Sequence, residues 1–179
     1  MNSLSEEYEC ILQAQQEPKH FEALYDKYFV SVWKFIGRRV EDKQDVADLV
    51  SDVFASALFH IKKFKPMGYP FSSWLYKIAS NEVNRYYRAS KKIRLVSIDH
   101  ASCKSLAAQT NMEWNDLKQV LGKALHYLSA QEIELIELRY FESKSFAEIG
   151  FILQVTENNA KVKTYRAIDK LKQKFSVLQ

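Results

Sequence analysis

The sequence predicts an all-α protein made of two small helical domains joined by a flexible linker, and three observations predict it. Only 4 Gly and 3 Pro occur in 179 residues, and few stretches alternate in the manner of a strand. Apolar residues instead recur at three- and four-residue steps through most of the chain. That pattern fades from Lys91 to about Asn111, a run of Ser, Lys, Ala, Gln, Thr and Asn with one apolar patch at Ile93, Leu95, Val96 and Ile98. A structureless segment of that length is uncommon inside one compact domain, so the expected division is 1–92, a linker at 93–111, and 112–179.

Residues up to about Gln16 are expected to form a short helix on Leu4, Tyr8, Ile11 and Leu12, with Pro18 separating it from the next element. From Lys19 to about Val40, Phe21, Leu24, Tyr25, Tyr28, Val32, Phe35 and Ile36 keep helical spacing. Glu41 and Asp42 give the third helix an acidic start, favourable against its dipole, and Val46, Leu49, Val50, Val53, Phe54, Ala57, Leu58 and Ile61 are its buried stripe. Its outer face carries Asp45, Asp48 and Asp52, three carboxylates on one side of a helix in a basic protein. Like charges so spaced repel by a few tenths of a kcal/mol. With no visible intramolecular compensation, they point to a basic protein partner rather than to a metal, since no further ligand type accompanies them.

A basic, aromatic loop from Lys62 to Ser73, holding Pro66 and Pro70, leads into a fourth helix reaching Ser90, with Ser72 or Ser73 as its cap. Leu75, Ile78, Ala79, Val83 and Tyr86 form one face. The opposite face carries Lys77, Asn81, Asn84, Arg85 and Arg88: amides that bond base edges among cations that bond phosphates, with Trp74, Tyr76 and Tyr87 nearby as stacking surfaces. An ordinary solvated helix face is the competing reading of this stretch.

The second half opens with a helix from about Glu113 to Tyr127, with Trp114, Leu117, Val120, Leu121 and Leu125 inward. Ser129 to Glu132 is a capping box, with Ile133, Ile136, Leu138 and Tyr140 behind it; Ser145 to Glu148 is a second, opening the short helix Phe146 to Leu153. After the turn Gln154-Val155-Thr156, Thr156 caps a longer helix to about Phe175, buried near Ala160, Val162 or Lys163, Ala167, Ile168, Leu171 and Phe175. Short helix, brief turn and longer basic helix make a helix-turn-helix. Its second helix would enter the major groove by Glu157, Asn158, Asn159, Lys161, Lys163, Tyr165 and Arg166.

Composition narrows the function classes. No apolar run reaches the ~18 residues of a membrane span, and the polar, acidic N-terminus lacks a signal-peptide layout, so a cytoplasmic protein without membrane insertion is expected. Cys10 and Cys103 stand far apart, and His20, His60, His100 and His126 are scattered; neither a disulfide framework, a metal site nor a cofactor is expected. A Gly-rich phosphate loop, a nucleophile elbow and paired catalytic acids are all missing from the sequence, which reads as non-enzymatic. Net charge is +4 and the pI about 8.9. Positive charge gathers between Arg85 and Lys104 and again beyond Lys161, two contacts with a polyanion.

Both halves together resemble the extracytoplasmic-function (ECF) group of bacterial RNA polymerase sigma factors, within the sigma-70 family. Asp45 to Phe54 is similar to region 2.2; Phe71 to Asn81, with its run Trp74-Leu75-Tyr76-Lys77-Ile78-Ala79-Ser80-Asn81, to region 2.3 leading into 2.4; and Leu128 onward, through Phe146-Ala147-Glu148-Ile149 and Val155-Thr156-Glu157 to Arg166-Ala167, to region 4. The resemblance implies a sigma region 2 bundle and a sigma region 4 helix-turn-helix. Asp45, Asp48 and Asp52 would then dock on core RNA polymerase. Phe71, Ser73 and Trp74, at the end of the loop, with Lys77, Asn81, Asn84, Arg85 and Arg88, would capture the non-template strand of the −10 element. Glu157 to Arg166 would read the −35 element as duplex, and an anti-sigma factor would mask these surfaces. Gln154 departs from the family, which often has Gly in that turn. A stand-alone helix-turn-helix regulator is the alternative.

Overall fold

The computed structural model describes residues 4–66, 68–90 and 114–178. The linker and its apolar patch, Cys103, and the side chains of Leu4, Trp114 and Leu117 lie outside the described residues. Helices α1 (Leu4–Gln16), α2 (Glu22–Gly37), α3 (Lys43–His60), α4 (Phe71–Ser90), α5 (Trp114–Leu125), α6 (Ala130–Ile136), α7 (Phe146–Leu153) and α8 (Glu157–Leu178) are the α-helices of the described residues. The all-α expectation holds, and the chain separates into two compact units, α1 to α4 and α5 to α8.

In the first unit α2, α3 and α4 pack on one another. Leu24, Val32, Phe35 and Ile36 of α2, Val46, Val50, Val53 and Phe54 of α3, and Leu75, Ala79 and Val83 of α4 are all buried. Asp42 caps α3, accepting from the Gln44 and Asp45 amides at 2.8 and 3.0 Å. The expected helix from Lys19 instead starts as a 3-10 turn, Pro18–Phe21, and becomes α-helical at Glu22. In α1, Ile11 and Ala14 are buried while Tyr8 and Leu12 are exposed. The buried stripe is thus rotated from the expected one. It runs along Glu7, Ile11, Ala14 and Gln15, and its two polar members bond to neighbouring elements.

α4 begins at Phe71, not after the serines. The Ser73 amide donates to Pro70 O at 3.0 Å, so Ser72 and Ser73 sit in the first turn instead of capping it. One buried charge had no signal in the pattern: Arg39, 2% exposed, lies with its guanidinium carbon 3.4 Å from the centre of the Phe35 ring and donates to Phe35 O at 2.6 Å.

In the second unit Leu128, Ile133, Ile136 and Ala167 are central, with Leu125, Phe141, Ile168 and Leu171 packed around them. Both predicted capping boxes are formed. Tyr140, expected inside, is exposed. A π-helical turn over Glu137–Phe141 takes one residue more per turn than an α-helix and brings Phe141 inward in its place. On α8, Lys163 is half-buried and Val162 exposed, and Thr164, absent from the expected stripe, is fully buried and donates to Ala160 O at 2.8 Å.

Candidate nucleic-acid interface

The polar face expected on α4 is only partly open. Asn81, Arg85 and Arg88 are exposed and Lys77 and Asn84 half-buried. Arg88 Nε donates to Asn84 O at 3.3 Å, which holds its guanidinium near the face. Arg85 is engaged at home: Nη2 lies 2.5 Å from Glu82 Oε2 and 3.5 Å from Asp52 Oδ2.

Two residues expected to touch DNA are interior. Phe71 is 1% and Ser73 0% exposed. Starting the helix at Phe71 turns that ring into the bundle, where it meets Tyr28, Phe64 and Trp74 with centroids 5.7, 5.3 and 5.3 Å away. Among the aromatics expected to stack on bases, Tyr76 is also buried, its ring edge against Phe35 at 4.8 Å. Tyr87 is half-buried and its hydroxyl donates to Arg39 O. Trp74 remains half-exposed, leaning on Phe64 at 4.9 Å.

The acidic row on α3 proves to be compensated within the unit, contrary to expectation. The Tyr86 hydroxyl donates to Asp45 Oδ2 at 2.5 Å, Gln44 Nε2 to Asp48 Oδ1 at 3.2 Å, and Arg85 stands beside Asp52. These partners come from α4 and from one turn back on α3, a tertiary arrangement that spacing on α3 could not show. Asp48 and Asp52 stay exposed and Asp45 is half-buried.

The helix-turn-helix forms as expected. α7 ends on Gln154 in the left-handed region, φ 57 and ψ 43, and the Gln154 and Val155 amides both donate to Gly150 O. The turn therefore forms with Gln where the family often has Gly, at the cost of backbone strain. Gly150 makes the crossing possible, since a Cβ there would fall 2.8 Å from Val155 O and 3.2 Å from Glu157 N. Thr156 Oγ1 accepts from the Asn159 amide at 3.2 Å and caps α8.

Beyond that cap Glu157, Asn158, Asn159, Lys161, Tyr165 and Arg166 are exposed and Lys163 half-buried. Tyr165 reaches back to the Phe146 ring at 5.7 Å, and the other side of the unit brings Arg139 over the same ring at 4.7 Å. At the far end, Lys170 Nζ binds both Glu132 oxygens at 3.1 and 3.0 Å. Burial pushes the Glu132 carboxyl up, but the Ser129 amide and Lys170 outweigh it and hold it below the ordinary value of 4.5.

Among the described residues no three His, Cys, Asp or Glu gather where they could hold a metal ion, and no helix is long and apolar enough to cross a membrane. Each unit offers recognition chemistry of its own: amide and cationic groups on α4, beside an aromatic loop, in one, and on α8, presented by a helix-turn-helix, in the other.

Two family models, sigma-70 region 2 over residues 24–93 and sigma-70 region 4 over residues 118–171, together match well over half of the chain. The chain belongs to the sigma-70 family. This sigma factor falls in the ECF group: it is 30% identical over 165 residues to the ECF sigma factor BldN of Streptomyces coelicolor, a match covering 89% of this chain and 62% of BldN. To SigM of Bacillus subtilis it is 28% identical over 155 residues, 83% of this chain and 91% of SigM. Among solved structures, CnrH in complex with the cytosolic domain of CnrY superimposes with TM-score 0.65 at 22% identity, covering 96% of this chain and 97% of that one. RpoE of Bartonella quintana in complex with the anti-sigma factor NepR gives 0.64 at 24%, covering 89% and 98%. Both show the sigma factor fold. In this sigma factor region 2 takes in α2, α3 and α4, while α1 lies ahead of the match.

Proposed function

We propose that this sigma factor binds core RNA polymerase and directs it to promoters, with region 2 capturing the −10 strand and region 4 reading the −35 duplex. The observation that carries the reading is the pairing of two recognition surfaces of different kinds. α4 sets amides and cations beside a half-exposed Trp74 and a lysine-bearing loop, the chemistry of single-strand binding. The N-terminal turns of α8 project amides and cations from a helix-turn-helix, the chemistry of the major groove.

Trp74, Lys77, Asn81, Asn84 and Arg88 are the direct −10 contacts in this reading, with Arg85 shared between DNA and its acidic neighbours. Phe71 and Ser73 act from inside, shaping the floor beneath the loop. Taking a base out of the stack costs a few kcal/mol, and stacking at about 1 to 3 kcal/mol per base with pocket contacts offsets it. Glu157, Asn158, Asn159, Lys161, Lys163, Tyr165 and Arg166 face the −35 duplex. Asp48 and Asp52, with Asp45 behind them, dock on the polymerase.

The domains divide at 1–92, 93–111 and 112–179, and the protein works in the cytoplasm without an enzymatic reaction of its own. Because CnrH and RpoE are each held by a partner, CnrY and the anti-sigma factor NepR, an anti-sigma factor is the expected regulator here too. Run-off transcription with purified core polymerase over a pool of genomic promoters, with and without the protein, tests the whole reading. New protein-dependent start sites are the expected result. If none appear and the protein alone shifts duplex DNA, a stand-alone regulator takes its place.

A further inference from the structure

The loop between α3 and α4 carries exposed Lys62, Lys63 and Lys65, and both of its ends are tied to one element, α1. At the entry, Gln15 Nε2 donates to Ile61 O at 3.0 Å and to Phe64 O at 2.8 Å. A single amide thus ties α1 to the 3-10 turn Ile61–Lys63 that follows α3, adding a second bond to Ile61 O, which also accepts from the Phe64 amide at 3.0 Å, and bonding Phe64 O beyond it. At the exit, Glu7, about two turns earlier on α1, reaches Phe71, the first residue of α4, through Tyr28, whose ring lies 5.7 Å from the Phe71 ring. The Glu7 carboxylate accepts from the Tyr28 hydroxyl at 2.6 Å and Lys27 Nζ at 2.5 Å, which fixes it to α2. Buried Ile11 and Ala14 seat the helix between the two. With its carbonyl held by Gln15, Phe64 places its ring against Phe71 and Trp74, 5.3 and 4.9 Å away.

We propose that α1, which lies outside the region 2 match, is a positioning element for −10 strand capture: Gln15 and Glu7 clamp the two ends of the α3–α4 loop and thereby set which base the loop accepts. Neither residue needs to touch DNA. The clamp rests on the assignment of −10 capture to region 2.

The test is initiation by core polymerase carrying the full chain, on promoters with a constant −35 element and a randomised −10 element. Gln15→Met keeps length and bulk and removes the donor. Expected is a fall of roughly fivefold, the scale of one lost hydrogen bond, in the preference for the best over the other bases at the captured position, with −35 preference unchanged. Glu7→Gln, loosening the other end, should move the same ratio in the same direction. Hydrogen exchange provides the second measurement: loop amides between Lys62 and Phe71 should exchange faster in Gln15→Met, while those of α2 and α3 do not. A uniform drop in initiation with base ratios and loop exchange unchanged overturns the clamp. Absence of any protein-dependent start with the unaltered chain overturns the promoter reading, and with it this one.

Discussion

Gly150 decides whether the turn between α7 and α8 can close. The atoms its Cβ would meet, Val155 O and Glu157 N, are backbone and cannot swing aside. Gly150→Ala should destabilise that unit by about 2 kcal/mol and weaken duplex binding, both measurable by urea unfolding and by titration with −35 DNA. Four residues on, Gln154 occupies φ 57, where a side chain is strained and glycine is not. Gln154→Gly should raise stability by about 0.5–1 kcal/mol in the same assay. At Asp48 the expectation separates folding from docking. It is exposed, and Gln44 approaches it at 3.2 Å, so Asp48→Lys should change stability by no more than about 0.5 kcal/mol while weakening affinity for core polymerase. Unchanged affinity would contradict the docking role.

A few ionised contacts cross between helices that their apolar cores hold together, and these make the protein acid-sensitive. Burial pushes the Glu7 carboxyl up, but hydrogen bonds from Lys27 and Tyr28, the Lys27 charge and the Phe71 amide together hold it below its ordinary value of 4.5. Burial and the same carboxylate push the Tyr28 hydroxyl up. A carboxylate depressed on folding adds stability above its unfolded value and loses it as pH falls through the folded one. The attachment of α1 to α2, and through Glu132 and Lys170 that of α6 to α8, should therefore weaken as pH drops below about 4.5. Glu7→Gln should flatten that acid dependence in the first unit, read by circular dichroism against pH. On α8 the division of labour has its own check. Replacing Asn159 and Lys161 by alanine should cost about 1–3 kcal/mol of −35 discrimination per base contact and leave −10 melting, followed by 2-aminopurine fluorescence, largely intact.

Each of the two compact units has a core of its own, Phe35, Leu75 and Val53 in one and Leu128, Ile133 and Ala167 in the other. Unfolding should show two transitions, a departure from two-state behaviour that is common for chains of more than one domain. Gly150→Ala should move one of them and leave the other in place, which calorimetry of the full chain would read directly. A single transition displaced as a whole would show that the units unfold together.

The sequence by itself determined the helical class, the order of the elements, the two capping boxes and the helix-turn-helix, because each is written in local spacing. Apolar steps of three and four residues mark a buried face wherever it packs, and Ser129 with Glu132 or Ser145 with Glu148 needs only one turn of chain to bond. What only the tertiary structure decided is which polar groups meet across elements. Tyr86 beside Asp45 and Arg85 beside Asp52 are contacts between α3 and α4, invisible to spacing on either one. Likewise Phe71 and Ser73 look like loop residues in the sequence, yet the helix start at Phe71 turns them inward. Gln15 and Glu7 show the same limit: spacing on α1 gives no sign that Glu7 meets Lys27 and Tyr28 of α2, or that Gln15 meets loop carbonyls more than forty residues away.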